Sequence, residues 1–253
     1  MAQSHRPQVL ITGAARRIGA VLARRFAANG WHVLIHAGHS TAQARELAST
    51  LRSAEVVEAD LIDLDAGLAM IAGLAERLDD WRVLVNCAAV FRPDTAAGID
   101  PAIFAEAIRV NAETPTAMAQ AFLHKARARG GKRVIQFLDQ KLLNPNPDFF
   151  SYTMAKHAFA STVRMLAMAA PDPATRVYGL APGAMMPSWD QAAEEHELSG
   201  RMNLLKRLTD PEELADAALF MAQGWLASGE TIYIDSGQHL LSQPRDVLYL
   251  ARE

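Results

Sequence analysis

Sulfur chemistry has little to work with here, because the 253 residues contain one cysteine, Cys87. A lone cysteine closes no intramolecular disulfide, and its place inside the apolar run 83–90 reads as a buried thiol of a reducing compartment rather than a nucleophile. Metal-ligand spacing is also missing. His36 and His39 fall close together, but no cysteine or carboxylate cluster stands beside them, so no metal site is expected. A large excess of either charge is missing as well, and a formal net charge of -3 argues against a nucleic-acid or anionic-membrane partner. No stretch reaches the roughly 18 unbroken apolar residues that span a bilayer. The N-terminal MAQSHRPQ carries no apolar run of signal-peptide type. These absences lead to the expectation of a soluble, cytoplasmic protein acting on a small molecule. No linker divides the chain, which is expected to form one domain over 1–253.

What the sequence does have is alternation. Apolar runs at 9–12, 31–36, 55–59, 82–88, 132–138, 176–181 and 231–235 read as strands. Between them, helical spacing predicts helices at 18–29, 65–78, 101–129, 151–170 and 211–223. Seven strands alternating with helices predict an α/β fold, a single doubly wound parallel sheet of Rossmann type with helices on both faces. Runs such as VLVNCAAV are apolar throughout, as strands covered on both sides must be.

The first strand runs into Thr12-Gly13-Ala14-Ala15-Arg16-Arg17-Ile18-Gly19 at the start of the first helix. Gly13 and Gly19 let backbone approach a pyrophosphate, and the free amides of the helix start bind it, which marks 13–19 as a dinucleotide loop. The second strand ends in His36-Ala-Gly-His39-Ser40, with no carboxylate for an adenosine ribose. Arg16, His39 and Ser40 offer positive charge and donors for a 2'-phosphate instead, so NADPH/NADP+ is expected over NADH. A solvated turn is the other reading of His39 and Ser40. Asp60 and Leu61 follow the third strand, where the carboxylate suits either an adenine edge or a helix N-cap. Asn86 to Ala89 ends the fourth strand, with small residues such as Ala88 that let the two riboses lie against the backbone.

Tyr152 and Lys156 are one helical turn apart and so share a helix face. A cation held near a phenol lowers its pKa from about 10 and readies it to give up a proton.

With TGAARRIG, NCAA, Asn111, Tyr152-x-x-x-Lys156 and Pro182-Gly183 in that order, the chain resembles the short-chain dehydrogenase/reductase family over nearly its whole length. The resemblance implies a homodimer or homotetramer that moves hydride between a nicotinamide and a carbonyl or imine carbon. It implies Tyr152 as proton donor, Lys156 on the nicotinamide ribose, Asn111 holding a water behind Lys156, and Pro182 and Gly183 beside the cofactor. Two departures stand out. Asp139 replaces the usual serine, and Arg17 the usual glycine; together with Phe91 they look like the pteridine reductase branch. That branch implies that Asp139 assists Tyr152 as acid, Arg17 contacts pterin and cofactor phosphate, and Phe91 stacks on the pterin ring. For Asp139 the residues alone leave open a cap or a carboxylate paired with Arg17, and for Phe91 plain loop packing.

Residues 184–208 fall where this family has its substrate-covering loop, with Met185 and Trp189 able to close over a flat ring. The expected activity is NADPH-dependent reduction of a pterin-like substrate. A ketone or quinone reductase and a non-catalytic dinucleotide sensor are the alternatives. Helices apolar on more than one face, such as the one carrying MLAMAA, add the expectation of a homo-oligomer.

Overall fold

The structure is a computed structural model that describes residues 6–170, 172–188 and 190–253. In chain order its elements are β1 (Gln8–Ile11), α1 (Arg17–Ala28), β2 (His32–Ala37), α2 (Thr41–Thr50), β3 (Ala54–Glu58), α3 (Leu64–Arg77), β4 (Trp81–Asn86), α4 (Pro101–Ile108), α5 (Thr114–Lys125), β5 (Arg133–Phe137), α6 (Phe150–Ala169), β6 (Arg176–Pro182), α7 (Ala193–Gly200), α8 (Pro211–Gln223), β7 (Thr231–Ile234) and α9 (Val247–Leu250).

Successive side chains of a strand point to opposite faces of a sheet, and here both faces are apolar. Val9 and Ile11 of β1 enter one hydrophobic cluster and Leu10 enters the other. β2 and β4 divide in the same way, with Val33, Ile35, Val83 and Val85 on the first face and Leu34 and Leu84 on the second. Helix α1 covers the first face through Leu22 and Phe26, and α8 joins it through Leu214 and Met221. Helices α3, α5 and α6 cover the second with Ile71, Phe122 and Phe159. All strand pairs are parallel, in the order β3-β2-β1-β4-β5-β6-β7. The chain reverses its direction of travel across the sheet between β1 and β4, which opens a crevice at the carboxyl ends of the strands.

Helix starts are marked as their residues dictate. Asp63, Asp100 and Asp210 cap α3, α4 and α8 through side-chain bonds to the first-turn amides. The single helix expected over 101–129 is instead broken by a π-helical turn, Arg109–Glu113, and ends at Lys125. Pro115 has no N–H to give the carbonyl of Asn111, so the α pattern cannot run through. Helix α2 was not expected at all. Only Ala44 and Leu47 of it are buried, a stripe too narrow to announce a helix in the sequence. Among the described residues no helix is long and apolar enough to cross a membrane, and no cluster of metal-binding side chains occurs.

Candidate active site

A cleft of about 770 Å³ opens at the carboxyl ends of β1, β2, β4, β5 and β6. The loop between β1 and α1 forms one end, and it is built to exclude side chains. Gly13 has φ +65, and a Cβ there would lie 3.0 Å from Ala88 Cα. At Gly19 a Cβ would lie 2.4 Å from the Gly13 carbonyl oxygen, so α1 packs this close only with glycine. Arg17 has φ +54, the left-handed region that glycine adopts freely and arginine rarely does. The chain thus keeps a glycine-type backbone where it carries arginine. Helix α1 has no acidic residue in its first turn and no side-chain cap, so its leading amides face the cleft without a competing carboxylate. Arg16, Arg17 and Ile18 line the same end.

Two buried residues to which the sequence reading gave no role here, His36 and Thr12, hold this loop. His36 Nδ1 accepts from Gly13 N at 3.1 Å, and its Nε2 donates to Ala59 O at 3.0 Å, tying the loop to β2 and β3. Burial takes the His36 imidazole down to about 4, so it is neutral and serves as acceptor and donor at once. Thr12 Oγ1 accepts from Cys87 N at 2.9 Å and Ala88 N at 3.0 Å, joining the ends of β1 and β4. Cys87 itself is a cleft residue whose thiol burial pushes up to about 12, which leaves it inert as a nucleophile.

Beyond β2, His39 and Ser40 line the cleft, as do Asp60 and Leu61 after β3. His39 is 87% exposed and within 4.0 Å of the Asp60 carboxylate. Asp63, not Asp60, is the N-cap of α3, and Asp60 Oδ1 accepts only from Ile62 N within its own turn. Asn86 departs from expectation. Its side chain turns into the protein, where Nδ2 donates to Pro115 O at 3.0 Å and Gln136 Oε1 at 2.8 Å, and it does not line the cleft. Asn111 also stands back from the cleft, in the π turn, with Oδ1 accepting from Val90 N at 2.8 Å and Nδ2 donating to Val90 O at 2.9 Å. The Asn111 amide is spent on the Val90 backbone, and the Asn86 Nδ2 is shared between the Pro115 carbonyl and the Gln136 side chain.

At the centre lie Tyr152, Lys156 and Asp139, brought together by α6 and the end of β5. The Tyr152 hydroxyl donates to Asp139 Oδ2 at 2.8 Å. Asp139 Oδ1 accepts from Lys141 N at 2.8 Å and so starts a short turn, Gln140–Leu142. Arg17 is not its partner. Burial pushes the Asp139 carboxyl above the ordinary carboxylate range, against the pull of Lys141, Tyr152 and Lys156. Lys156 is buried rather than exposed, and its Nζ donates to Phe137 O at 2.6 Å, 5.6 Å from the Tyr152 ring centroid. Burial lowers it to about 8. The Tyr152 phenol is not lowered as the spacing with Lys156 suggested. Burial first, and then the adjacent Asp139 charge and hydrogen bond, push it well above its ordinary value.

An aromatic wall adjoins this centre. Phe91 meets Tyr152 edge-on at 4.7 Å and stacks on Phe149 at 3.9 Å and 19°. Its residue is 38% exposed and faces the cleft. Phe149 was missed by sequence reasoning, although FF directly before the helix start was visible. It has φ +52, and Asp94 fixes the turn by accepting Phe149 N on its carbonyl at 2.9 Å and Ser151 N on its carboxylate. Pro182 and Gly183 line the far side, where a Cβ on Gly183 would lie 2.7 Å from both Asp235 Cβ and Gln238 Oε1. Gln238 Oε1 accepts from Ala184 N at 2.9 Å. In the segment 184–208, Met185 is buried against the cleft and α7 forms, while Trp189 lies outside the described residues.

The family model described as enoyl-(acyl carrier protein) reductase matches residues 13–239. Among solved structures, FolM alternative dihydrofolate reductase 1 from Brucella canis, complexed with NADP, is 31% identical with a TM-score of 0.86, covering 96% of this chain and 97% of that one. Pteridine reductase 1 of Leishmania tarentolae is 27% identical over 279 residues, covering 92% of this chain and 96% of that protein. A galactitol 2-dehydrogenase of Agrobacterium fabrum is 29% identical over 241 residues, covering 89% and 91%.

Proposed function

The chain belongs to the short-chain dehydrogenase/reductase family, and from that membership we propose that it is an NADPH-dependent reductase of a pterin-like substrate. The observation that carries this reading is the hydrogen bond from Tyr152 to Asp139 at 2.8 Å beside the exposed ring of Phe91. A carbonyl oxygen needs a hydroxyl partner, whereas a ring nitrogen that gains a proton is better matched by a carboxyl group whose affinity for protons burial has raised.

The residues fit the cofactor. The uncapped start of α1 with Gly13, Ile18 and Gly19 would take the pyrophosphate, Arg16, His39 and Ser40 the 2'-phosphate, and Asp60 and Leu61 the adenine. Ala88, Pro182 and Gly183 would bound the riboses, with Lys156 on the nicotinamide side. When bound, NADPH supplies the hydride that reduces a ring carbon of the substrate.

The chain's own residues manage the proton and the ring. Phe91 is held from behind by Phe149, which leaves its cleft side as a flat apolar face for a flat heterocycle. Tyr152 and Asp139 share a proton along their hydrogen bond, and the pair delivers it to the ring nitrogen next to the reduced carbon. Lys156 stays cationic below about pH 8 and stabilises the negative charge that remains on the pair. Asn111 acts by pinning Val90, and with it the loop that carries Phe91. Arg17, at the loop end of the cleft, would border pterin and cofactor phosphate, and Met185, buried against the cleft, would cover the ring.

A carbonyl substrate is the second reading, because the galactitol 2-dehydrogenase is as similar in sequence as the pteridine reductase. A panel of dihydropterins, ketones and quinones, followed by NADPH absorbance, tests both. Pterin turnover exceeding that of every ketone and quinone is expected; the reverse order rejects the pterin reading.

A further inference from the structure

Residues 246–248 are built into the substrate side of the cleft. Asp246, Val247 and Leu248 line it together with Phe91, Asp139 and Tyr152. They are held there by two ion pairs in which Asp148 and Lys141 are buried and Arg245 is partly exposed. Arg245 grips Asp148 in a fork, Nε to Oδ2 at 2.7 Å and Nη2 to Oδ1 at 3.0 Å, and Asp148 Oδ2 also accepts from Asp246 N at 2.9 Å. The Asp246 carboxylate in turn pairs with Lys141. Asp148 and Lys141 are almost fully buried, and both belong to the segment between Asp139 and Tyr152.

Buried ion pairs contribute little net stability, since desolvation offsets most of their attraction. What they do is penalise any other register, because a displaced partner leaves a buried charge unpaired. Here the register they specify is that of residues 245–248 against the catalytic segment. Apolar contacts then complete the wall: Leu248 packs on Phe149 and Tyr152, and Tyr249 stacks on Phe149 at 5.8 Å and 17° under the Arg245 guanidinium. Farther along, Arg252 donates to Asp190 O at 2.8 Å and to Glu195 Oε2 at 3.1 Å, joining the tail to the segment that carries α7.

We propose that residues 245–252 are the outer wall of the substrate compartment, and that the Lys141–Asp246 and Arg245–Asp148 pairs set its position so that it selects by size. For the pterin, which rests on the reading above, the wall favours dihydropterins with a small ring substituent over those that carry an arylamide-glutamate tail. Removing the wall opens the compartment beyond Phe91 and Tyr152, so the tailed substrate gains relative to the small one.

Two variants test this. Arg245→Gln removes the charge from a side chain that is 42% exposed and keeps an amide able to donate to Asp148, and retained NADPH affinity reports that the fold is kept. A chain ending at residue 244 removes the wall altogether. With 6-methyl-7,8-dihydropterin and dihydrofolate as the pair, the wild type is expected to favour the small substrate in kcat/KM. The ratio should shift toward dihydrofolate at least tenfold in the truncated chain and by a smaller factor in Arg245→Gln. Calorimetric affinities of the NADP+-loaded proteins for the same pair read the wall without turnover and should shift in the same direction. If the wild type reduces ketones but no pterin, the pterin reading fails alone, and a small and a bulky aryl ketone take the place of the pair. A wild-type preference for the larger member, or ratios unchanged in both variants with NADPH affinity retained, overturns the wall.

Discussion

Tyr152 gives its hydroxyl hydrogen to Asp139 Oδ2 at 2.8 Å, and the two groups reach each other only because α6 and the end of β5 converge on the cleft. Both are pushed toward holding protons, by burial in each case. Asp139→Asn keeps size and polarity and removes the exchangeable carboxyl proton. Turnover on a dihydropterin should fall by about a hundredfold, with the Michaelis constant changing less. Asp139→Ser should leave ketone reduction unharmed while pterin reduction drops. Both are read by steady-state kinetics, and wild-type rates from either variant would make Asp139 a structural cap of the turn after β5.

Tyr152→Phe preserves the contacts with Phe91 and Leu248 and loses only the hydroxyl, so turnover should fall by about 10²–10⁴ with the melting temperature nearly unchanged. Lys156→Ala is expected to cost the same activity and also about 1–3 kcal/mol of stability, because the Phe137 carbonyl loses its buried donor. In the wild type, turnover should decline above about pH 8 as Lys156 loses its charge.

His36 predicts an acid-side loss of stability. Its folded value is depressed from 6.5 to about 4, so its contribution is complete above pH 6.5 and lost as pH falls through about 4. A shift of this size corresponds to on the order of 3 kcal/mol. Urea denaturation at several pH values should show stability falling across that window in the wild type. In His36→Gln the fall should be shallower, since glutamine binds no proton.

Cofactor choice is expected to rest on Arg16, His39 and Ser40, none of which is matched by a carboxylate at the end of β2. Calorimetry should give tighter binding of NADPH than NADH. Arg16→Ala should weaken NADPH by about tenfold, or ~1.4 kcal/mol, and leave NADH nearly untouched. Equal affinities in the wild type would reject the assignment.

Self-association is expected through α6, where Met154, Met165 and Met168 are exposed. Methionine is costly to leave in water and adaptable in a contact. Light scattering at micromolar concentration should give a multiple of the single-chain mass, and Met165→Glu with Met168→Glu should lower it.

Periodicity and glycine spacing determined the parallel sheet and the tight glycine turn into α1, because these depend on local sequence: alternate apolar residues divide between two faces, and Gly19 lets α1 start against the Gly13 carbonyl. The Tyr152-x-x-x-Lys156 spacing likewise placed both residues on one helix face. Which charges those residues meet was decided by the tertiary structure. Lys156 turns to the Phe137 carbonyl and Tyr152 to Asp139, and burial reverses the direction in which the phenol shifts. Asn86, expected beside the cofactor, turns inward to the Pro115 carbonyl and the Gln136 side chain, and Asn111, expected to hold a water behind Lys156, bonds the Val90 backbone, since a buried polar group takes the nearest partner the fold offers. His36 and the Lys141–Asp246 pair carried no local signal, and for Phe149 the FF before the helix start did not say what the ring would meet. Their roles come from contacts 23 to 105 residues apart, which only the folded chain assembles.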